Sequence, residues 1–93
     1  MVISLAVITI RKESLKEVSE LLNQFLSDEK KRPGVLRVYA KRAMDNEDTF
    51  LLYTEYEDRA AFDASEKASN EEQKSVGFIL RPYLLKAFYG NFD

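Results

Sequence analysis

The amino-acid sequence predicts one α+β domain of order βαββαβ, in which two helices cover one face of a four-stranded antiparallel sheet. The chain has 93 residues, a length that suits a single domain over residues 1–93. Segments rich in β-branched and aromatic residues alternate with segments of helical periodicity in that order. Neither face of the predicted strands is plainly polar, so both faces of the sheet should be covered.

The first strand and the first helix have the clearest signals. Val2–Ile10 is dominated by β-branched residues and contains neither glycine nor proline. Ser14 is expected to begin the helix, because Glu17 three residues later completes a capping box. The helix should end before Pro33 and Gly34. Its apolar stripe consists of Leu15, Val18, Leu22, Phe25 and Leu26.

A hairpin is predicted to follow the first helix. Residues 35–44 form its first strand and residues 49–56 its second. The polar residues 45–48 between them predict the turn. This acidic stretch lacks the length and spacing of a calcium loop, so we expect a solvated turn.

The second helix is predicted to be thinner than the first. Asp58 is its expected N-cap, and its apolar stripe is built from alanines. Gly77, or the polar stretch before it, should end the helix, and residues 78–80 can form a short helical turn. The last strand is predicted at residues 83–89. Two right-handed crossovers then place both helices on one face, which is the ferredoxin-like arrangement.

The other face of the predicted sheet has no helix to cover it. The alternation of side chains gives this face roughly a dozen residues, most of them apolar. An exposed patch of that size would exceed the few hundred Å² that monomers usually tolerate. We therefore expect a homodimer in which a second copy covers the open face of the sheet.

The composition excludes several kinds of chemistry. The chain has no cysteine, which excludes disulfides, zinc thiolates and thiol nucleophiles. It has no histidine, the commonest general base at neutral pH and the usual haem ligand. Neither a metal nor a cofactor is expected. A formal charge of −2 also lacks the strong positive field of a nucleic-acid-binding protein.

The apolar N-terminal stretch and the basic stretch at residues 30–32 are both predicted to be ordinary parts of the fold. The apolar segment at residues 1–10 is short and is followed by Arg11, so we expect a strand and neither a signal peptide nor a membrane span. A cytoplasmic protein without membrane contact is the resulting expectation. The basic residues 30–32, beside Asp28 and Glu29, are expected to be a solvated helix end.

The residues from Pro33 to Arg37, the hairpin, and residues 53–62 together resemble the antibiotic biosynthesis monooxygenase family. The resemblance implies a dimeric α/β barrel that oxidises phenols or hydroquinones without a cofactor, in a pocket between sheet and helices. The chain departs from the family at three positions. Ser65 stands where members commonly have histidine, Tyr56 replaces a tryptophan, and Thr54 stands where an acidic residue is usual.

Six side chains are candidates for binding a substrate, and no catalytic residue can be named. Tyr53 and Tyr56 lie on opposite faces of one strand, so only one of them can face the pocket. The candidates are Arg37, Tyr53, Tyr56, Phe62, Ser65 and Tyr83.

Three functions are compatible with the sequence. The first is a cofactor-independent monooxygenase acting on a small aromatic quinol or phenol. The alternative is a non-catalytic dimeric barrel that binds a small hydrophobic ligand. An isomerase of a phosphorylated ligand ranks last, because only Arg37, Arg81 and Lys86 could supply a basic site.

Overall fold

The computed structural model describes all 93 residues and contains the predicted strands and helices in the predicted order. The strands form one antiparallel sheet of order β2-β3-β1-β4, which confirms the ferredoxin-like α+β fold. No helix is both long and apolar enough to cross a membrane. The elements are β1 (Val2–Ile10), a 3₁₀ turn (Lys12–Ser14), α1 (Leu15–Lys30), β2 (Val35–Ala43), β3 (Asn46–Tyr56), α2 (Arg59–Glu72), α3 (Val76–Ile79) and β4 (Leu84–Phe92).

The hydrophobic core lies between the helices and the sheet face that carries the even-numbered residues of β1 and β3, here called the helix face. Ile8 and Ile10 of β1 are fully buried, as are Val18 of α1 and Leu80 directly after α3. The side chains that join them in one cluster are Ala6, Leu22, Phe50, Leu52 and Val76. The period of two along the strands thus selects which half of each strand enters the core.

The opposite side of the sheet, here called the open face, carries the odd-numbered residues of β1 and β3. Val7 lies at its centre, opposite Leu51 of β3 and Phe88 of β4. Val7 is 39% exposed, Phe88 64% and Phe92 51%. No element of this chain covers these apolar side chains.

The start of α1 differs from the predicted capping box. Ser14 precedes the helix, but its side chain makes no capping hydrogen bond, so that prediction is wrong. A 3₁₀ turn at Lys12–Ser14 comes first, and the Ser14 amide donates to the Arg11 carbonyl at 3.0 Å. The backbone therefore already turns before the helix begins. At α2, by contrast, the predicted cap is confirmed, because Asp58 Oδ1 accepts from the Ala61 amide at 2.8 Å.

Two strands are longer than their side chains suggested. β3 begins at Asn46, which pairs with Ala43, so the turn consists of residues 44–45 and the predicted turn at 45–48 is wrong. β4 continues through residues 90–92, because Gly90 and Phe92 pair with Leu5 and Ile3 of β1. Backbone pairing with a neighbouring strand outweighs local polarity in both places.

A residue with positive φ follows each of the two long helices. Gly34 has a φ of 81°, and a Cβ at this position would collide with the Ala61 side chain. Its carbonyl accepts from the Glu57 amide at 2.8 Å, which ties the start of β2 to the end of β3. α2 ends at Glu72, within the polar stretch and before Gly77, and the next residue, Gln73, has a φ of 57°.

We expect Leu80→Ala to destabilise the fold by about 2–5 kcal/mol, because it empties a fully buried site against β1 and α1. Leu36→Ala is the matched control, since Leu36 is 58% exposed. Urea unfolding at one fixed protein concentration measures both changes. Equal losses of stability in the two variants would contradict the described core.

Candidate functional site

A cavity of about 360 Å³ lies between the helix face of the sheet and the three helices. Its apolar wall is formed by Ala6 and Leu52 of the sheet, Phe25 of α1 and Val76 of α3. The volume falls within the range of small-molecule sites, about 300–1,000 Å³. The polar side chains that also line it are those of Ser4, Glu29, Thr54, Tyr56, Ser65, Glu66, Ser69, Ser75, Tyr89 and Asn91.

The small side chains of α2 leave room for this cavity. α1 fills the space above the sheet with Val18 and Leu22, which are both buried. α2 has only one buried residue, Ser65, and also presents Ser69 to the cavity. The cavity thus opens beside α2, the helix that the sequence predicts to be the thinner of the two.

Tyr56 is the aromatic residue of β3 at the polar end of the cavity. Its side chain is only 4% exposed, and its ring meets that of Phe62 edge to face with centroids 5.4 Å apart. Burial raises the pKa of the Tyr56 phenol, and the Ser65 hydroxyl beside it acts in the opposite direction. Glu29 and Glu66 raise the pKa further, whereas Arg32 lowers it. Tyr56 therefore stays a neutral hydroxyl group at neutral pH.

Glu29, near the end of α1, is a buried carboxylate on the cavity wall. It is 4% exposed, and its Oε1 accepts from Arg32 Nε at 3.0 Å. Loss of hydration on burial raises the pKa of Glu29, while the charge and hydrogen bond of Arg32 lower it. The charge of Glu66 also raises this pKa, and a hydrogen bond from Tyr56 lowers it. A carboxylate held this way can accept a proton or a hydrogen bond from a bound molecule.

The expectation that the basic residues 30–32 form a solvated helix end is wrong for Arg32, whose side chain pairs with the buried Glu29. Glu29 continues the stripe of Val18, Leu22 and Phe25, so it lies on the side of α1 that faces the sheet. An acidic residue at a stripe position was the signal available in the sequence. Arg32 is also held, because its Nη2 donates to Glu72 of α2 at 3.3 Å.

The structure brings together only part of the predicted candidate set. Tyr56 and Ser65 line the cavity, and Phe62 supports Tyr56 from outside it. Tyr53 lies on the open face, where its hydroxyl donates to Glu55 at 2.6 Å. That bond is also the main reason that the pKa of Tyr53 is raised.

Arg37 and Tyr83 lie outside the cavity as well. Arg37 is paired across the sheet with Glu55, on the same open face as Tyr53. Tyr83 packs at the edge of the hydrophobic core, and its carbonyl accepts from the Arg11 amide at 3.0 Å. The bulge between Thr9 and Ile10 of β1, where Leu84 pairs with Ile10, shifts the start of β4 relative to simple alternation.

We predict that Glu29→Gln changes how stability depends on pH. Because the pKa of Glu29 is raised on folding, its contribution to stability is fully present below the unfolded pKa and is lost as the pH rises through the folded pKa. Glutamine does not titrate. The free energy of unfolding of Glu29→Gln should therefore rise relative to the unmodified protein as the pH increases above 4.5, the ordinary pKa of a glutamate carboxyl.

Urea titrations across this pH range measure the difference, in which the other carboxyl groups cancel. Glu20→Gln, on the exposed side of the same helix, is the matched control for loss of one charge. A constant difference between Glu29→Gln and the unmodified protein would show that burial of Glu29 does not perturb its titration.

Solved structures of the same fold come from several organisms. A Deinococcus radiodurans protein named as a candidate antibiotic biosynthesis monooxygenase superposes with a TM-score of 0.88 at 15% identity, over 100% of this chain and 91% of that one. A variant of SnoaB from Streptomyces nogalater, a cofactor-independent oxygenase, gives a TM-score of 0.79 at 18% identity, over 99% and 90% of the two chains. At these identities the likeness concerns the fold.

A third structure, from Shewanella oneidensis, gives a TM-score of 0.83 at 14% identity, over 98% of this chain and 87% of that one. No curated protein matches the sequence. The profile of the antibiotic biosynthesis monooxygenase family matches residues 1–72, which include β1, α1, the hairpin and α2. Since this match spans most of the chain and the fold agrees with it, the protein belongs to the antibiotic biosynthesis monooxygenase family.

Proposed function

We propose that the protein is a cofactor-independent monooxygenase that oxidises a small aromatic quinol or phenol in the cavity between sheet and helices. The observation that carries the proposal is the cavity itself, which joins an apolar wall to a polar end at Tyr56, Ser65 and Glu29. An aromatic ring suits the apolar wall, and a ring hydroxyl suits the polar end. Membership in the family and the described activity of SnoaB support the same reaction class.

The reaction needs no reductant other than the substrate. A phenol with an unsubstituted ring position and O₂ give a quinone and water, so one oxygen atom enters the ring and the other leaves as water. The substrate supplies all the electrons and the hydrogen atoms of the water. The protein's part is to hold the ring away from solvent, to accept the hydroxyl proton, and to stabilise the negative charge that develops on the ring oxygen.

Three of the sequence candidates have a proposed place in this reaction. When substrate binds, the Tyr56 hydroxyl exchanges its hydrogen bond to Glu29 for one to the substrate oxygen, and Ser65 beside it orients that hydroxyl. The edge-to-face contact with Phe62 restrains the Tyr56 ring. Ser65 at the family's histidine position implies that proton transfer here depends on another group, and Glu29 is the buried carboxylate within reach of the cavity.

The alternative is a binding protein that retains the cavity without catalysis. The absence of histidine and of tryptophan favours it, because the chain lacks two residue types that the family commonly uses in this region. The same cavity would then hold a small hydrophobic ligand.

We further propose that two copies pair through their open faces. Support comes from the exposed apolar residues at the centre and edge of this face, Val7, Phe88 and Phe92. A second copy would bury them, at roughly 25 cal/mol for each Å² of apolar surface removed from water. The stacked rings of Tyr39 and Tyr53, 4.8 Å apart, extend the same surface.

For catalysis, we expect O₂ uptake above the uncatalysed rate with at least one member of a hydroquinone panel. Tyr56→Phe should lower kcat/KM by about tenfold or more, since it removes the hydrogen bond to the substrate oxygen. Tyr39→Phe, on the open face, is the matched control and should retain activity. Oxygen-electrode measurements with purified protein test both statements.

Absence of turnover with every hydroquinone would contradict the monooxygenase. Under those conditions, a small molecule retained in native mass spectra of the purified protein would favour the binding protein. A loss of activity on Tyr53→Phe and not on Tyr56→Phe would place the substrate on the wrong face of the sheet for this proposal.

For assembly, we expect a dimer by sedimentation velocity at micromolar concentration. Val7→Asp should weaken it by about tenfold or more, because it places a charge in the middle of the apolar face. Ala64→Asp, exposed on α2, is the matched control. A monomeric mass for the unmodified protein would overturn the proposed interface.

A further inference from the structure

The cavity is lined by negative and neutral groups alone. Glu29 and Glu66 are its two charged lining residues, and no lysine or arginine contributes to its wall. The remaining polar groups are hydroxyls and the Asn91 amide. Such a lining offers no cationic partner to an anionic ligand.

The arginine that pairs with Glu29 lies on its other side. Arg32 lines a second, smaller hollow of about 170 Å³, and Glu29 and Phe25 form the wall shared by the two spaces. In this position Arg32 neutralises Glu29 without presenting its guanidinium to the larger cavity. The Glu29–Arg32 pair is therefore close to neutral, and a cationic ligand gains little from it.

The Glu29 carboxylate keeps acceptor capacity for a ligand. Arg32 Nε binds Oε1 at 3.0 Å, and a carboxylate can accept about four hydrogen bonds. Glu29 lines the cavity beside the Tyr56 hydroxyl, which also donates to it, so acceptor sites beyond these two bonds remain for a bound molecule. An ionised carboxylate only accepts hydrogen bonds, so its ligand must supply a donor.

We propose that Glu29 is the residue that selects the substrate, by accepting a hydrogen bond from a ring hydroxyl, and that the site takes neutral aromatic diols and rejects anionic aromatics. The aromatic class rests on the proposed function; the selection for a neutral donor rests on the charges of the lining. Capping both hydroxyls as methyl ethers leaves the Glu29 carboxylate without its partner in a buried site. Discrimination against a ligand lacking a required hydroxyl is correspondingly strong.

Three probes test the selection by isothermal titration calorimetry under anaerobic conditions. They are naphthohydroquinone, its dimethyl ether, and a hydroxynaphthoate that carries a carboxylate. We expect the diol to bind at least about tenfold more tightly than either of the other two. Equal affinities for the diol and its ether, or no measurable binding of the diol, would overturn the proposal without the use of any variant.

Glu29→Gln is the informative variant, because it preserves the shape of the side chain and removes its charge. Its affinity for the diol should be about tenfold lower than that of the unmodified protein, and its affinity for the hydroxynaphthoate should be higher. A damaged fold would lower both affinities. Glu72→Gln, which contacts the outer side of Arg32, is the matched control and should leave the order of the three probes unchanged. An unchanged order of affinities in Glu29→Gln would overturn the role of this residue.

The experiment separates this inference from the proposed function. Selective binding of the diol without O₂ uptake would contradict the monooxygenase and leave the selection by Glu29 supported. Oxidation of the diol and of the hydroxynaphthoate at similar kcat/KM values by the unmodified protein would support the monooxygenase and contradict the selection against anionic aromatics.

Discussion

The two crossovers that place every helix on the same face of the sheet govern the rest of this structure. With α1, α2 and α3 above the helix face, half of each strand is buried by its own chain and the other half is not. The cavity and the open face are the two consequences. One is the space that the helices do not fill, and the other is the surface that they do not reach.

The unequal helices decide where the space lies. α1 places Val18 and Leu22 deep against the strands, whereas the one buried residue of α2 is Ser65. The cavity consequently lies beside α2, and the Tyr56 ring forms part of its wall. A carboxylate on the apolar stripe of α1 would be unfavourable in a closed core, yet it can be accommodated at a polar cavity with Arg32 beside it.

The sequence was informative wherever the signal was local and periodic. β1 was predicted at its observed bounds, and the Asp58 cap was identified from one residue type at one position. Signals that depend on a partner strand were not visible. The tail of β4 contains Gly90 and Asn91, but it forms a strand because the first half of β1 pairs with it. Likewise, Ser14 and Glu17 match a capping-box pattern that the preceding 3₁₀ turn makes unnecessary.

The candidate site shows the same division. The sequence by itself determined the order of elements, the two apolar faces of the sheet, and the fact that Tyr53 and Tyr56 point in opposite directions, because all three follow from the period of side chains along the chain. Only the tertiary structure decided that Tyr56 faces the cavity, that Arg37, Tyr53 and Tyr83 lie outside it, and that Glu29 is buried beside Arg32. The physical reason is that burial and pairing depend on which elements meet in space, and residues of α1, β3 and α2 far apart along the chain meet only in the folded protein.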